Sequence, residues 1–297
     1  MFCKLLLQQA QFAGIELLSY CIMSNHVHLL IRVPLVDSIS DSDLLKRYGD
    51  YYGQDKMPRS SYSVEELREI LRSGGAEAAT AKARILARMG DLPAFMRELK
   101  QRFSIWYNHK HNNKGTIWAA RYKSLIVEDE PETLTRVAAY IDLNPVRAEI
   151  VSAPKDYRWC SYTAALAGQA MARKGLIQIF GGLRDWETAI ESYRMILFGK
   201  GYGTKEALNQ DYGRISAEKL ESIIRNNGKV PLEELLRVRV RYFSDGLALG
   251  SKDFVEHIFT TNSTAFGPHR TRASTALPSQ TWGKLHVFRN LKRNIYR

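Results

Sequence analysis

The sequence predicts an α+β fold, and three kinds of segment support that class. Leu17 to Val33 is rich in apolar and β-branched residues and is followed by Pro34, which is typical of a buried strand. Residues 124–127 predict a second, shorter strand. Most other apolar segments repeat every three to four residues, which is the spacing of amphipathic helices. A chain of 297 residues can bury a full core and is long enough for two units.

Four helices are predicted in the first ninety residues. Gly14 is expected to end the first of them before the strand begins. Asp37 or Ser38 is placed to cap the second. The predicted spans are residues 4–13, 37–49, 64–71 and 76–89.

Two histidines stand two residues apart within the predicted strand. His26 and His28 lie in the segment SNHVHLLI, residues 24–31. Successive side chains of a strand point to opposite faces, so both imidazoles are expected on one face, about 6 to 7 Å apart along the chain. Neutral imidazole is the commonest protein metal ligand, and this pair can share a metal ion. The alternative, two core histidines with one hydrogen bond each, stays open.

The composition favours a globular protein with a polyanionic partner. The chain is 45% hydrophobic and 10% aromatic, and its net charge is +12. Residues 1–165 carry 22 basic and 19 acidic side chains, whereas residues 166–297 carry 21 and 12. The last part of the chain, from Phe266 onward, has no acidic residue. A phosphate-binding arm is favoured there over a merely solvated tail, with the basic residues Arg270, Arg272, Lys284, Arg289, Lys292, Arg293 and Arg297.

The cysteines and the apolar segments indicate a cytoplasmic protein. The three cysteines are odd in number and widely spaced, with no CxxC pair, as expected in a reducing compartment. The apolar run at residues 1–7 is too short for a signal peptide. No stretch of about 20 apolar residues predicts a membrane span.

A long helix with an aromatic stripe is predicted over Leu92–Asn108. A core role is favoured for this stripe, and a platform for stacked bases is the alternative. His109 and His111 repeat the His-x-His pattern, but they precede a flexible polar turn and are not predicted as ligands. Arg121 and Lys123 precede the second strand and are candidates to contact a phosphate backbone. The stripe consists of Phe95, Met96, Leu99, Phe103, Trp106 and Tyr107.

A further helix is predicted after the acidic turn at residues 128–132. Tyr140 and Asn144 are four residues apart and therefore share one face of this helix. Pro145 cannot donate to the helix and disfavours helical geometry at Asn144, so the helix kinks or stops there. On these residues alone, Tyr140 is a half-buried tyrosine and Asn144 a C-terminal cap.

Four ordered blocks give the first 165 residues a family resemblance. Together they resemble the REP-associated tyrosine transposases, a branch of the single-tyrosine HUH transposases. His-x-His alone would be a much weaker signal. The blocks are SNHVHLL at 24–30, GTIWAARYKS at 115–124, YIDLNPVRA at 140–148 and DYRWCSY at 156–162.

The resemblance implies a ferredoxin-like domain over residues 1–165, in which an antiparallel sheet presents the histidines beneath a helix that bears a nucleophilic tyrosine. By motif position, His26, His28 and Asn144 would bind Mg²⁺ or Mn²⁺, and Tyr140 would form a 5′-phosphotyrosyl link with single-stranded or hairpin DNA. Arg147, in the same block as Tyr140, is expected to contact the DNA. A homodimer is compatible with the family. Relatives usually begin with one more strand, and this strand is expected to be missing here.

Residues 166–297 are expected to form a mainly helical, basic extension. Helices are predicted at residues 186–197, 216–226, 231–242 and 251–259. The last two are joined by a Gly-containing segment, and a helix-turn-helix over residues 231–259 or a plain helical bundle fits this pattern equally well. The basic residues between positions 266 and 297, named above, form the predicted tail.

The sequence is compatible with three functions. The favoured one is a transposase that cleaves and rejoins single-stranded DNA near hairpin repeats. The second is a nucleic-acid-binding protein or regulator that keeps the fold without the catalysis. A metal-dependent hydrolase without a covalent intermediate is weaker, because the sequence offers no group of carboxylates of the kind such sites use.

Overall fold

The computed structural model describes residues 1–34, 39–53, 62–198, 231–237, 240–265 and 274–288. These residues form a mixed α+β structure, which confirms the predicted class. They divide into two compact units. The first unit comprises Met1–Leu17 and Ile31–Tyr122, and the second comprises Leu18–Leu30 and Lys123–Arg297. The chain thus passes between the units three times, and this division does not follow the predicted boundary at residue 165.

The described part of the first unit is built from helices whose ends follow from their capping residues. Gly14 ends the first helix with a φ of 67°, the left-handed conformation that glycine adopts readily. Ser40 accepts a hydrogen bond from the amide of Asp43, so the second helix begins later than predicted. The predicted caps at 37 and 38 lie outside the described residues. The helices are α1 (Phe2–Ala13), α2 (Asp41–Tyr52), α3 (Val64–Ser73), α4 (Gly75–Leu86) and α5 (Leu92–His111).

A half-buried ion pair organises the polar part of the first unit. The guanidinium of Arg88 donates to both carboxylate oxygens of Glu98, at 2.7 and 2.8 Å. Gln9 donates to the same carboxylate at 2.9 Å, and Arg88 lies 4.7 Å from the ring centre of Phe12. Burial alone would raise the pKa of Glu98, but the hydrogen bonds from Arg88 and Gln9 hold it below its usual range. This network therefore joins α1, α5 and the residues after α4.

The predicted single strand over residues 17–33 is a hairpin of two strands. Strand β1 is Glu16–Ile22 and strand β2 is Val27–Arg32, and they pair with each other. The turn between them is closed by a hydrogen bond from the amide of Met23 to the carbonyl of His26, at 2.9 Å. The prediction was wrong because the apolar pattern runs through both strands, and only Ser24 and Asn25 interrupt it.

The second unit begins with that hairpin and continues with short helices and strands. Among the described residues, no helix has the length and apolar character needed to cross a bilayer. The strands are β3 (Ile126–Val127), β4 (Ala248–Gly250), β5 (Thr275–Ala276) and β6 (His286–Phe288). The helices are α6 (Pro131–Asp142), α7 (Asn144–Arg147), α8 (Ser161–Leu166), α9 (Ala170–Gln178), α10 (Trp186–Phe198), α11 (Leu232–Leu236), α12 (Tyr242–Asp245) and α13 (Lys252–Thr261).

The described C-terminal residues form helices, as predicted, and also three short strands of a four-stranded mixed sheet, which the sequence did not predict. The strand order is β3, β4, β6, β5, with β3 and β4 parallel and the other pairs antiparallel. Strand β4 occupies the joint of the proposed helix-turn-helix, so residues 231–259 do not form that motif. The predicted helix over 231–242 is divided between α11 and α12, whereas Ser251 caps α13 as predicted. The predicted helix at 216–226 lies outside the described residues.

The side chain of Glu128 links the end of β3 to the start of α13 through hydrogen bonds. Its carboxylate accepts hydrogen bonds from the amide and the hydroxyl of Ser251, at 2.6 and 2.7 Å. Gly250 is the residue that permits this approach, because a Cβ atom there would lie 2.5 Å from the Cβ of Glu128. The segment after residue 123 and the segment after residue 248 are therefore parts of one sheet-based structure.

Replacing Arg88 tests the ion pair of the first unit. The Arg88→Met variant should lose roughly 2 to 3 kcal/mol of unfolding free energy, because it leaves the half-buried carboxylate of Glu98 without its main donor. The matched control is Arg72→Met, which breaks the exposed pair with Glu69 and should cost less than about 1 kcal/mol. Urea unfolding followed by circular dichroism measures both. Equal losses would show that the Arg88 pair is no stronger than a surface pair.

Candidate functional site

The two histidines of the predicted metal pair lie next to each other at the turn of the hairpin. His26 is exposed and precedes β2, and His28 is half-buried within it. Their ring centres are 4.9 Å apart and the rings are nearly perpendicular, at 88°. The predicted proximity of the two imidazoles is confirmed. Their position at a turn, rather than deep in a strand, makes His26 accessible from solvent.

A hydrogen bond fixes the proton of His26. Its Nδ1 atom lies 2.6 Å from the side-chain oxygen of Asn25. An amide oxygen only accepts, so Nδ1 carries the proton and Nε2 carries the lone pair that a metal ion takes. Two imidazole donors therefore fit a divalent ion. Within the described residues, no group of three or more His, Cys, Asp or Glu side chains is arranged to hold a metal, and other ligands would have to be of another type.

Tyr140, the predicted nucleophile, is enclosed by an aromatic ring and a guanidinium. It lies in the last turn of α6 and its side chain is 3% exposed. The ring of Phe243 stacks on it with centres 4.6 Å apart and planes 24° apart. The guanidinium carbon of Arg147 lies 3.8 Å from the ring centre of Tyr140. In this conformation the phenol ring is part of the core of the second unit.

Asn144 ends the tyrosine helix, as the simpler interpretation of this residue predicts. Its Nδ2 atom donates to the carbonyl of Ile141 at 3.0 Å and lies 3.4 Å from the carbonyl of Tyr140. Helix α6 stops at Asp142, and the short helix α7 follows with Pro145 in its first turn. A metal would bind the other amide atom, Oδ1, so capping and ligation are compatible roles. The ligand role stays a prediction.

The predicted phosphate contacts differ in how they are placed. Arg147 is half-buried, and its guanidinium donates to the carbonyls of Tyr140 and Leu236 at 2.6 and 2.7 Å. It thus joins α6 to α11 in this structure. Arg121 and Lys123 are exposed. The other predicted phosphate contacts, Arg270, Arg272, Arg289, Lys292 and Arg293, lie outside the described residues.

A buried carboxylate two residues from Tyr140 is the site feature that sequence reasoning missed. Asp142 is 1% exposed and accepts hydrogen bonds from Ser161 Oγ at 3.0 Å, the amide of Tyr162 at 3.2 Å and the hydroxyl of Tyr193 at 2.6 Å. Burial raises the pKa of Asp142 to about 6, although these hydrogen bonds oppose the shift. The available signal was an acidic residue between two apolar ones, Ile141 and Leu143, on a buried helix.

The same network reaches the strand that pairs with the histidine strand. The hydroxyl of Ser161 also lies 3.0 Å from Ser19 Oγ and accepts the amide of Tyr20 at 3.1 Å. One residue earlier, Cys160 forms an antiparallel bridge with Cys21 of β1. The block at 156–162 therefore connects the end of α6 to β1 through side-chain and backbone hydrogen bonds.

Comparison with known proteins provides no relative for this site. The chain matches no protein-family model, no curated protein and no solved structure. The chemistry of the site is therefore inferred from its own residues.

The buried carboxylate of Asp142 predicts a specific dependence of stability on pH. The folded state holds the proton with a pKa of about 6 and the unfolded state with one near 4, so the folded state binds more protons between these values. The contribution of Asp142 to the unfolding free energy should therefore fall by about 2 kcal/mol as the pH rises from 4 to 6, and it should level off above about pH 7. Urea unfolding at successive pH values measures this slope.

The Asp142→Asn variant isolates that contribution. Its amide does not titrate, so the difference between wild type and variant should change across pH 4 to 6 and be constant above about pH 7. Urea unfolding of both proteins at the same series of pH values gives this difference. If the two plots of unfolding free energy against pH are parallel, the pKa of Asp142 is the same in the folded and the unfolded protein, and the prediction is wrong.

Proposed function

We propose that the protein is a DNA transposase that cleaves and rejoins single-stranded DNA near hairpin repeats through a covalent bond to Tyr140. The REP-associated tyrosine transposases are the family that its sequence blocks resemble. The observation that carries the proposal is the Asp142 and Ser161 network. It ties the helix that bears Tyr140 to β1, the strand paired with the histidine strand. The network therefore joins the helix that carries Tyr140 to the hairpin that carries His26 and His28.

The proposal gives the hairpin a place in a ferredoxin-like nuclease sheet. Strands β1 and β2 would be its inner strands, with the histidines at their turn. The residues at 159–160, which pair with β1 on its other edge, would extend this sheet. Helix α6 would be the helix that presents the nucleophile.

The covalent step forms one bond and breaks one. The Oη atom of Tyr140 attacks the phosphorus, the new bond is Tyr Oη–P, and the bond from phosphorus to the 3′-oxygen of the preceding nucleotide breaks. The phenol releases its proton and the departing 3′-oxygen becomes a hydroxyl. Another 3′-hydroxyl can reverse the step, so rejoining needs no ATP. Bound by His26, His28 and Asn144, Mg²⁺ or Mn²⁺ would supply positive charge to the phosphate oxygens.

The enclosure of Tyr140 sets a requirement for this chemistry. A phosphate can reach the phenol oxygen only if the side chains over the ring move. Phe243 lies on α12, a helix of four residues, so a local displacement of this helix would expose the ring. Arg147 would remain attached to the end of α6 through the carbonyl of Tyr140.

The same enclosure favours a second candidate function. A protein that binds nucleic acid without cutting it has no need for an accessible tyrosine, and a buried, stacked Tyr140 is then an ordinary core residue. The positive net charge of the chain would attract a phosphate backbone in either case, so it does not distinguish the two functions. Formation of a covalent protein–DNA product separates the two functions.

The Tyr140→Phe variant tests the nucleophile. It removes only the phenol oxygen, so it should bind a labelled single-stranded oligonucleotide as wild type does but form no covalent product in Mg²⁺ or Mn²⁺. Denaturing gel electrophoresis measures the product. The matched control is Tyr48→Phe, which removes the phenol oxygen of a buried helical tyrosine in the first unit and should still be trapped.

Histidine variants complete this test. The His26→Ala and His28→Ala variants should also lose the covalent product, whereas His257→Ala, an exposed histidine on α13, should keep it. A covalent product with Tyr140→Phe would refute the assignment of the nucleophile. No product with wild type in either metal would favour the binding protein.

The Phe243→Ala variant tests the requirement for ring exposure. The stacking of Phe243 on Tyr140 is worth about 0.5 to 1.5 kcal/mol, and its loss lowers the free energy needed to expose the ring by that amount. The covalent product should therefore form roughly 2- to 10-fold faster. Single-turnover trapping measures the rate. Phe259→Ala, which breaks the Phe259 and Phe288 pair elsewhere in the second unit, is the matched control and should leave the rate unchanged. A slower reaction with Phe243→Ala would mean that Phe243 holds Tyr140 in its working position.

A further inference from the structure

The second half of helix α5 and the segment after it form an unusually basic stretch. Residues 99–127 contain no Asp or Glu. Two histidines, His109 and His111, lie in the same stretch. Its other basic residues are Lys100, Arg102, Lys110, Lys114, Arg121 and Lys123. The part of this stretch that belongs to the first unit, up to Tyr122, therefore has a strong positive charge.

The aromatic stripe of α5 changes character along the helix. Phe95, Met96 and Leu99 are buried, which confirms the predicted core role for this half. Trp106 and Tyr107 are only half-buried. Ile105, the residue before them, is 63% exposed. The C-terminal half of the stripe therefore lies at the protein surface.

The surface rings form a connected cluster. Phe103 stacks against Trp106 with ring centres 5.6 Å apart, and it contacts Tyr107 at 6.0 Å and Trp118 at 5.9 Å. His111 lies over Tyr107 with ring centres 4.3 Å apart. One aromatic surface thus combines the end of α5 with the segment that follows it.

Hydrogen bonds fix the segment after α5 in place. The indole nitrogen of Trp118 donates to the carbonyl of Lys100 at 3.1 Å and to Ser104 Oγ at 2.9 Å. The side chain of Asn108 donates to the carbonyl of Gly115 at 2.8 Å. The cluster is therefore preorganised, and binding to it requires little ordering of the chain.

Cations lie directly on these rings. The ammonium of Lys110 is 5.2 Å from the ring centre of Trp106, and that of Lys100 is 5.1 Å from the ring centre of Trp118. A lysine side chain is flexible, so the ammonium of Lys110 can move to a phosphate when a flat base takes its place on the ring. Lys110 and Lys114 are both exposed.

We infer that this surface, formed by Phe103, Trp106, Tyr107, Lys110, Lys114 and Trp118, binds single-stranded DNA. Bases stack on the half-buried indole and phenol rings, and the lysines contact the phosphates. Stacked aromatic rings with adjacent cations are the combination that binds unpaired bases, because a duplex hides the faces of its bases. The choice of DNA over RNA rests on the proposed function. The surface lies in the first unit, whereas Tyr140 lies in the second, so it is a binding surface distinct from the residues of the covalent step.

The Trp106→Ala variant of the full chain is the principal test. Its affinity for a fluorescently labelled oligothymidylate of 15 nucleotides, measured by anisotropy, should fall roughly 5- to 100-fold. The Trp106→Phe variant should restore most of the affinity, because it keeps a ring for stacking. On an abasic strand of the same length, wild type and Trp106→Ala should bind equally.

Controls distinguish the cluster from a single exposed ring. Trp159→Ala removes an exposed tryptophan that has the guanidinium of Arg158 4.3 Å from its ring centre, and it should not change the affinity. If Trp106→Ala fails to fold, the Lys110→Ala/Lys114→Ala double variant decides. It should reduce the slope of log affinity against log salt by about 1.4, whereas Lys155→Ala should leave the slope unchanged.

Three results would overturn the inference. The first is an unchanged affinity of folded Trp106→Ala for oligothymidylate, or an unchanged salt slope of the double variant. The second is an equal loss of affinity for the abasic strand, which would show that no base stacks on the ring. The third is tighter Trp106-dependent binding of oligouridylate, which would make RNA the partner.

The outcome is separable from that of the proposed function. If wild type forms a covalent product while Trp106→Ala binds normally, the transposase proposal stands and the surface does not. If Trp106→Ala weakens binding but wild type forms no covalent product with Mg²⁺ or Mn²⁺, the surface stands and the transposase proposal does not.

Discussion

The buried carboxylate of Asp142 is the constraint on which the geometry of the candidate site depends. A carboxylate removed from water costs free energy unless donors replace its hydration, and here Ser161, Tyr162 and Tyr193 provide them. These residues belong to the start of α8 and to α10, and Ser161 also binds β1. Because the donors are effective in only one arrangement, the carboxylate fixes the end of α6. Tyr140 lies half a turn earlier on the same helix, so its backbone is held in place together with that of Asp142.

The residues around Tyr140 combine structural and potential chemical roles. Asn144 caps α6 with its amide nitrogen while its oxygen is a different atom, and Arg147 packs on the ring of Tyr140 while it bonds to two carbonyls. A helix end offers such residues naturally, because its last carbonyls need donors. The enclosure by Phe243 adds a condition, since chemistry at the phenol oxygen depends on a local movement. The proposed binding of DNA to the surface on α5 would require no such movement.

The features that could be predicted from sequence are those decided by neighbouring residues. Gly14 ends α1 and Ser251 caps α13 because each makes its hydrogen bonds within one turn of the helix. The proximity of His26 and His28 follows from their separation by one residue along the chain.

The features that escaped prediction depend on distant partners. Strand β4 has three residues and exists because Ile126 and Val287 lie on either side of it, so no local pattern indicates it. The turn at Ser24 and Asn25 was hidden by an apolar pattern that continues on both sides. For the aromatic stripe, the predicted core role holds for the first half of α5 but not for the second half, which lies at the surface. Periodicity shows that side chains share a face, but it does not show how far the covering structure extends.

The parallel pairing of β3 with β4 has a consequence for synthesis on the ribosome. Ile126 and Val127 leave the exit tunnel more than a hundred residues before Ala248 and Leu249, the residues they pair with. The helices of the first unit have their partners once Tyr122 has emerged, and they can fold early. Strand β3 and the ring of Tyr140, by contrast, must wait for residues 243–249, and during this interval their apolar surfaces are exposed to chaperones and to other nascent chains.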